Sequence, residues 1–181
     1  MVIALTGFMG SGKSSVGREL AKLLSSPFID LDEYIVRKAG ADIPEIFAAS
    51  GEEGFRTLET KALTEVIDSA RSLPAAAGTI GADGIASSAH LVLSLGGGTI
   101  LRPENAALIA SHCRCVFLRT SLETVRRRLS GESAGRPMLQ RADIGELFAS
   151  RAAAYASAAD LIIDTDSLSP ADIAGRICER L

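Results

Sequence analysis

Apolar and polar residues alternate along the chain in blocks whose spacing predicts strands and helices in turn. Short apolar runs, each closed by glycine or a polar residue, predict five buried strands, near residues 2–6, 27–30, 91–95, 115–118 and 161–163. Between them apolar residues recur every three or four positions, which predicts helices near 16–24, 32–38, 42–49, 55–66, 103–110, 121–129, 143–157 and 170–180. Strands that alternate with helices indicate an α/β fold, a parallel sheet with helices on both faces, and hence a three-layer sandwich.

Two local features refine this pattern. Ser169 followed by Pro170 is a typical helix start, with an N-cap residue and then proline at the first helical position. Residues 72–88 are rich in alanine, glycine and serine and carry little periodicity, which predicts a surface loop or flexible hairpin. Because this segment precedes a strand, we expect it at the amino edge of the sheet, away from the edge where ligands bind. The length of 181 residues suits one domain over 1–181.

Composition and charge exclude several classes of protein. Hydrophobic content of 47% with 23% charged residues excludes wholesale disorder, and a net charge of −3 argues against nucleic-acid or anionic-membrane binding. No apolar run approaches the ~18–20 residues that span a bilayer. The three cysteines form no C-x-x-C pair, so we expect no disulfide framework and no zinc site, and a cytoplasmic location. The 19 basic residues include only four lysines, an excess of arginine that suits either codon bias or the binding of phosphate and carboxylate.

Residues 7–14, GFMGSGKS, match the pattern G-x-x-x-x-G-K-[ST] between a predicted strand and a predicted helix. The glycines allow backbone N–H groups to turn inward around phosphate oxygens, and the helix N-terminus adds a partial positive charge. We expect Lys13 to reach the β- and γ-phosphates and the Ser14 hydroxyl to bind Mg²⁺. The motif is a P-loop and predicts nucleoside triphosphate binding, through Gly10, Ser11, Gly12, Lys13, Ser14 and Ser15.

Two carboxylates follow the second predicted strand. Asp30 and Asp32 are spaced i, i+2, so on a strand their side chains would point to the same side. One carboxylate near a P-loop suits the water shell of Mg²⁺, and the second would then face the acceptor of the phosphoryl group. The alternative is that Asp32 caps a helix.

Three further segments carry candidate chemistry. Arg56 and Glu59 share one helix face, so Glu59 can hold the guanidinium, although such pairs are usually surface pairs. Glycines 96–98 end the third strand, where either a close approach of another group requires them or a tight turn needs one of them. The basic residues 126–128 and the glycine-punctuated residues 131–139 are typical of a solvated helix face or of a mobile lid.

The blocks GFMGSGKSSVGREL, FIDLDEYI, IPEIFAASGEEGFRTLE, SLGGGTI, GRPML and RAAAY resemble, in this order, those of the shikimate kinases. The resemblance covers nearly the whole chain, except that residues 72–88 are longer than the family leads us to expect. It implies a P-loop kinase of the nucleoside-monophosphate-kinase type, with strand order 2-3-1-4-5, a substrate-binding insertion at about 31–60 and a lid at about 129–140. It also implies transfer of the γ-phosphoryl group of ATP to the 3-hydroxyl of shikimate with Mg²⁺. We expect the protein to be a monomer. The alternatives are a gluconate kinase of the same fold and a module that binds ATP without turnover.

The resemblance also implies roles for individual residues. Asp30 would join Ser14 at the magnesium ion, and Asp32 would orient the attacking hydroxyl, whether or not it also takes the proton. Arg136, in the lid, would close over the transferring group, so that the catalytic residues would be Lys13, Asp32 and Arg136. Arg127 would stack on adenine, with Arg126 as its rival. The substrate-binding residues would be Asp32, Phe47, Phe55, Arg56, Gly97, Gly98 and Arg151. Arg151 matches the family's R-x-x-x-Y, with alanines where the family often has Pro-Leu.

Overall fold

A computed structural model of the protein describes residues 1–72, 90–130 and 143–181. Within these residues a five-stranded sheet has the order β2-β3-β1-β4-β5, and every pair of neighbouring strands is parallel. The strands are β1 Val2–Thr6, β2 Phe28–Asp30, β3 Leu91–Ser94, β4 Cys113–Arg119 and β5 Leu161–Asp164. The strand order implied by the family resemblance is therefore confirmed.

The helices lie between the strands as the periodicity predicts. They are α1 Lys13–Leu23, α2 Leu31–Ala39, α3 Ile43–Ser72, α4 Pro103–His112, α5 Leu122–Leu129, α6 Ile144–Ala158 and α7 Pro170–Cys178, with a 3₁₀ turn at Thr99–Leu101. The predicted N-cap of the last helix is confirmed, because Ser169 and Asp172 form a reciprocal capping box. The break expected after residue 49 is also present inside α3, where Gly51 has φ 70° and ψ −174°, a conformation that only glycine adopts readily.

Both faces of the sheet are covered, which explains why its strands are continuous apolar runs rather than alternating ones. Ile3 and Leu5 of β1 point to the face that packs against α1 and α7. Val2 and Ala4, at the alternate positions, point to the face that packs against α2, α3, α4 and α6. The architecture is the predicted three-layer α/β sandwich.

The second strand and the helix after it lie where the sequence predicts them. β2 ends at Asp30 and α2 begins at Leu31, one residue before its predicted start, so Asp32 lies in the first turn of the helix. The strand argument for placing Asp30 and Asp32 on one side does not apply to Asp32, because the Asp30 side chain caps α2 by accepting the backbone N–H of Asp32 at 3.1 Å. β4 begins at Cys113, two residues before the predicted start, because Cys113 still pairs with Val2 of β1.

Two predicted segments fall outside the described residues. Of the predicted loop 72–88 only Ser72, the last residue of α3, is described, and of the predicted lid 129–140 only the first two residues are described. Arg136 therefore lies outside the described part of the chain. In the ranges that the structure describes, no helix combines the length and the apolar character needed to cross a membrane.

Candidate active site

A cleft with a volume of about 740 Å³ opens at the carboxyl edge of the sheet, where the P-loop and the segments after β2 and β3 meet. This is the edge at which parallel α/β sheets bind ligands. The predicted site residues that line the cleft are Gly10, Ser11, Gly12, Lys13, Ser14, Ser15, Asp30, Asp32, Phe47, Phe55, Arg56, Gly97, Gly98 and Arg151. Segments far apart in the sequence are therefore brought to one site.

The P-loop has the backbone geometry that the motif predicts. Gly12, the residue before α1, has φ 92°, and having no side chain it leaves the first turn of the helix open to an anion. Gly7 has φ 146°, and a Cβ atom there would lie 2.9 Å from the carbonyl oxygen of Leu118, so β4 packs directly against the loop. The Lys13 ammonium donates to the carbonyl oxygens of Gly7 at 2.9 Å and Phe8 at 3.1 Å, so the lysine lies along the loop.

Asp30 and Ser14, the two predicted magnesium ligands, are in direct contact. The Ser14 hydroxyl donates to Asp30 Oδ2 at 2.6 Å. The other oxygen, Oδ1, accepts the backbone N–H of Asp32. One carboxylate thus joins the start of α1 to the start of α2, which holds both helices at the rim of the cleft.

Asp32 lies in the same cleft, and its pKa is raised from 3.8 to about 6. Burial is the largest cause, because it disfavours the charged form, and the negative charge of Asp30 is the second. Glu59 raises the pKa of Asp32 further, whereas Lys13 and Arg56 oppose the shift. A carboxylate with a pKa near 6 is mostly ionised at pH 7.5 and still accepts a proton more readily than an ordinary aspartate.

Arg56 is held by the buried carboxylate of Glu59, so the predicted pair is not an ordinary surface pair. Its Nη1 donates to Glu59 Oε2 at 2.8 Å, and Glu59 is 0% exposed. The guanidinium also lies over the ring of Phe55, 5.4 Å from its centroid. A Cβ atom at position 98 would lie 2.5 Å from Arg56 Nη2, so the guanidinium rests directly on the backbone of Gly98. This contact explains why position 98 is glycine.

The glycine segment is approached from several directions. A Cβ atom on Gly96 would lie 2.8 Å from Asp32 Oδ1 and 2.9 Å from Glu59 Oε1, so this glycine too is required by a close approach. The nearest described atom to a Cβ atom on Gly97 would be 3.7 Å away, an ordinary contact. Two of the three glycines are therefore explained by packing, and the third faces the cleft.

Arg151, on α6, also contacts the glycine segment. It is only 5% exposed, and its Nη1 lies 3.4 Å from the carbonyl oxygen of Gly97. The Tyr155 hydroxyl, one helical turn later, donates to the same carbonyl oxygen. The two positions of the R-x-x-x-Y motif thus meet at one backbone atom.

Two phenylalanines form an apolar part of the same cleft. The ring centroids of Phe47 and Phe55 lie 4.8 Å apart, and both residues line the cleft together with Arg56. An aromatic surface next to a guanidinium suits a ligand with an apolar ring and a carboxylate.

Near the P-loop, the arginine of α5 that lines the cleft is Arg128. Its Nη1 donates to the carbonyl oxygen of Gly10 at 3.0 Å. Neither Arg127 nor Arg126 belongs to the described lining of the cleft. The helical phase explains this, because Arg128 follows the buried Thr124 by four residues and therefore shares its face. That phase was a signal in the sequence that the prediction did not use.

Further residues of the cleft carried no signal that sequence reasoning could use. Leu168, Pro170 and Ile173, around the start of α7, form an apolar wall near the P-loop. They lie more than 150 residues from the P-loop in the chain, and nothing in their local pattern distinguishes them from ordinary core residues. Thr99 and Asn105, both fully buried behind the glycine segment, were likewise missed.

Comparison with known proteins gives the family to which these elements belong. A sequence model described as shikimate kinase matches residues 9–83 and 82–181. Shikimate kinases of Stenotrophomonas maltophilia and Thermus thermophilus are 39% and 38% identical to the chain; each alignment covers 99% of this chain, and they cover 91% and 89% of the relatives respectively. A solved structure of shikimate kinase from Acinetobacter baumannii in complex with shikimate has a TM-score of 0.83 and 34% identity, over 99% of this chain and 91% of that one. The chain therefore belongs to the shikimate kinase family, whose members are ATP-dependent phosphotransferases.

Proposed function

We propose that the protein transfers the γ-phosphoryl group of ATP to the 3-hydroxyl of shikimate, giving shikimate 3-phosphate and ADP. The observation that carries the proposal is a pair of guanidiniums in one cleft, Arg56 from α3 against Gly98 and Arg151 from α6 against Gly97. Two guanidiniums suit a ligand with a carboxylate group, because a guanidinium binds a carboxylate in a planar, bidentate geometry. The relative from Acinetobacter baumannii was solved with shikimate bound.

The acceptor would lie between the P-loop and these arginines. Phe47 and Phe55 would contact the apolar face of its ring, with its carboxylate on Arg56 and Arg151. The hydroxyl to be phosphorylated would then lie at Asp32, beside Lys13. This arrangement is supported by the common cleft, since holding two reactants in one geometry contributes much of the rate in phosphoryl transfer.

Asp32 would orient the attacking hydroxyl and accept its proton. The pKa near 6 supports this role, because at neutral pH the carboxylate is charged yet more basic than an exposed aspartate. Lys13 would bind the transferring phosphoryl group once nucleotide is present. For Arg136, outside the described residues, we keep the prediction that it closes over that group.

Residues Gly10 to Ser15 would bind the phosphates of ATP through the backbone and through Lys13. For the base we propose Arg128, in place of Arg127, as the residue on the nucleotide side. The support is its contact with Gly10 and its position on the cleft. Leu168 and Pro170 would supply the apolar surface opposite.

Ser14 and Asp30 would hold Mg²⁺. The donor set fits this ion, which binds proteins through one or two oxygen ligands and keeps its remaining positions for water and nucleotide phosphates. The contact between the Ser14 hydroxyl and Asp30 supports the assignment, because it brings the two oxygens together at the mouth of the P-loop. Mg²⁺ supplies charge neutralisation at the β- and γ-phosphates.

We further propose that residues 1–181 form one domain, in which about 31–60 bind the acceptor and about 129–140 form the lid. A monomer in the cytoplasm is proposed as well. All three cysteines are free, and burial, with the charge of Asp160, raises the pKa of Cys113 and Cys115 to about 12, which suits a reducing setting with unreactive thiols. Sedimentation of the purified protein and fractionation of cells test these two points.

A coupled assay of ADP release tests the proposed function directly. Purified protein is given ATP and Mg²⁺ with shikimate, quinate or gluconate as acceptor. We expect release that depends on shikimate and is lost with EDTA, and kcat/KM for shikimate on the order of 10²-fold above that for the other two acids, since misplaced hydroxyls leave polar groups unpaired. Equal or greater turnover of gluconate would point to the related gluconate kinases, and no acceptor-dependent release would contradict the proposal.

A further inference from the structure

Behind the cleft, a chain of buried hydrogen bonds leads from Arg56 into the core. Glu59 uses one carboxylate oxygen for Arg56, and its other oxygen, Oε1, accepts the hydroxyl of Thr99 at 2.6 Å. The next link is Asn105, whose Nδ2 donates to the carbonyl oxygen of Thr99 at 3.1 Å. Glu59, Thr99 and Asn105 are each 0% exposed. The guanidinium at the cleft is thus anchored through three residues that no solvent reaches.

A buried carboxylate needs a partner on each oxygen, because an unpaired one loses its hydration without compensation. Arg56 satisfies Oε2 of Glu59. Oε1 lies against the backbone of Gly96, where an added Cβ atom would be 2.9 Å away, so little room is left beside it. The Thr99 hydroxyl is the donor at this oxygen. Thr99 is itself held in place, because it begins the 3₁₀ turn and its backbone N–H donates to the carbonyl oxygen of Gly96 at 3.2 Å.

We propose that Thr99 is a positioning residue for the acceptor. Its hydroxyl holds the Glu59 carboxylate, and Glu59 holds the guanidinium of Arg56 in the orientation that receives the carboxylate of the acceptor. Thr99 does not itself line the cleft, so its hydroxyl acts on the acceptor through Glu59 and Arg56. Asn105 supports the arrangement by holding the carbonyl group of Thr99. The inference rests on the function proposed above, because it takes Arg56 as the carboxylate ligand.

Substitution of Thr99 by valine tests the proposal, because valine keeps the shape and removes the hydroxyl. We expect KM for shikimate to rise on the order of 10-fold, the effect of losing a hydrogen bond to a charged group. The value of kcat should change by less than about 3-fold and KM for ATP by less than about 2-fold, because Arg56 would bind ground state and transition state alike. Thr99→Ser keeps the hydroxyl and should restore KM for shikimate.

Thr64→Val is the matched control. Thr64 lies on α3 like Glu59, is half-buried, and donates its hydroxyl to the carbonyl oxygen of Thr60 at 2.9 Å, away from the cleft. The same chemical change there should leave both KM values as they are. Thr99→Ala, which adds no methyl group beside the carboxylate, replaces the valine variant if thermal melting shows that the latter does not fold.

A double-mutant cycle separates positioning from a general loss of stability. If Thr99 acts through Arg56, Thr99→Val should lower kcat/KM for shikimate in the parent protein and have almost no effect in the Arg56→Ala background. Equal effects in both backgrounds, or an unchanged shikimate affinity of a folded Thr99→Val protein by calorimetry, would overturn the inference. Failure of the parent protein to use shikimate would instead overturn the proposed function, so the two failures are distinguishable.

Discussion

The nucleotide side and the acceptor side of the cleft are built in different ways. The phosphate-binding part of the nucleotide side is one run of eight residues, 7–14, whose backbone conformation makes the cradle. The acceptor side is made of side chains from α2, α3 and α6 that meet over the glycine segment after β3. Its charged groups need buried partners of their own, such as Glu59 for Arg56. A phosphate-binding loop made of backbone is encoded by a few neighbouring residues. A site made of side chains from several helices forms only when the chain folds.

The difference predicts that the two sides can be damaged separately. A change on the acceptor side should lower the affinity for shikimate and leave the affinity for ATP unchanged. A change on the nucleotide side should lower the affinity for ATP and leave the affinity for shikimate unchanged. The variants that follow test this separation.

The largest effect is expected at Lys13. Lys13→Met removes the charge that would bind the transferring phosphoryl group, so kcat should fall on the order of 10²–10³-fold in the coupled assay. Shikimate binding to the nucleotide-free protein, measured by calorimetry, should be unchanged within about 2-fold. If Lys13→Met abolished shikimate binding as well, the two sides would not be independent.

Next come the two arginines of the acceptor side. Arg56→Ala and Arg151→Ala should each lower kcat/KM for shikimate by about 30–300-fold and change KM for ATP little, because each would remove one charged partner of the carboxylate. The two variants should differ in stability. Arg56→Ala leaves the buried Glu59 without its ion pair and should cost roughly 3 kcal/mol of unfolding free energy in urea. Arg151→Ala removes contacts with Gly97, Tyr155 and the ring of Phe8 but breaks no ion pair with a described residue, so it should cost less. An equal loss of affinity for shikimate and for ATP would contradict the assignment of Arg56 and Arg151 to the carboxylate of shikimate.

Asp32 is predicted to weaken the fold at neutral pH while it serves the reaction. Because its pKa is about 6 in the folded protein and 3.8 ordinarily, the folded chain holds a proton that the unfolded chain has lost, and stability falls as pH rises through this window. Asp32→Asn should therefore raise the unfolding free energy at pH 8 by on the order of 1–3 kcal/mol, and by less at pH 5. The same variant should lose turnover and keep its affinity for ATP.

The pH profile of the parent protein gives an independent check on Asp32. Its kcat/KM for shikimate should fall as pH drops below about 6, since protonated Asp32 cannot accept the proton of the hydroxyl. A carboxyl resonance of the ligand-free protein should titrate in the same range. A titration near 4, or a stability gain of Asp32→Asn that is equal at both pH values, would refute the raised pKa.

The smallest effect is expected at the arginines of α5. Arg128→Ala should raise KM for ATP by about 3–10-fold, the range of one stacked or desolvated cation, and leave KM for shikimate unchanged. Arg127→Ala is the matched control on the same helix, because Arg127 does not belong to the described lining of the cleft, and it should raise KM for ATP by less than about 2-fold. A larger rise in KM for ATP in Arg127→Ala than in Arg128→Ala would support Arg127 as the nucleotide-binding residue.

Sequence reasoning gave the layers of the fold and most of the cleft, for identifiable physical reasons. Buried parallel strands are apolar throughout, so each appeared as a run, and the P-loop appeared because its function needs glycines at set positions. The strand order came from the family resemblance, since no local pattern encodes it. The helix that contains Asp32 was predicted, but its N-cap was not, because the capping side chain is Asp30, which the prediction placed at the magnesium ion.

Contacts across long stretches of chain were beyond the sequence pattern. Thr99 and Glu59 are 40 residues apart, and neither stands out locally as half of a buried pair. The pairing of Arg56 with Glu59 was predicted from their spacing, but its burial was not, because burial depends on the glycine segment that packs above it. Of the three arginines of α5 the prediction chose Arg127, whereas the one that lines the cleft is Arg128, which follows the buried Thr124 by one helical turn.

A crystal structure with ADP, Mg²⁺ and shikimate bound tests the central claim most directly. The account predicts the shikimate carboxylate between Arg56 and Arg151, with the 3-hydroxyl within hydrogen-bond distance of Asp32 and directed toward the phosphates on the P-loop. A carboxylate placed away from both arginines, or another hydroxyl at Asp32, would contradict it.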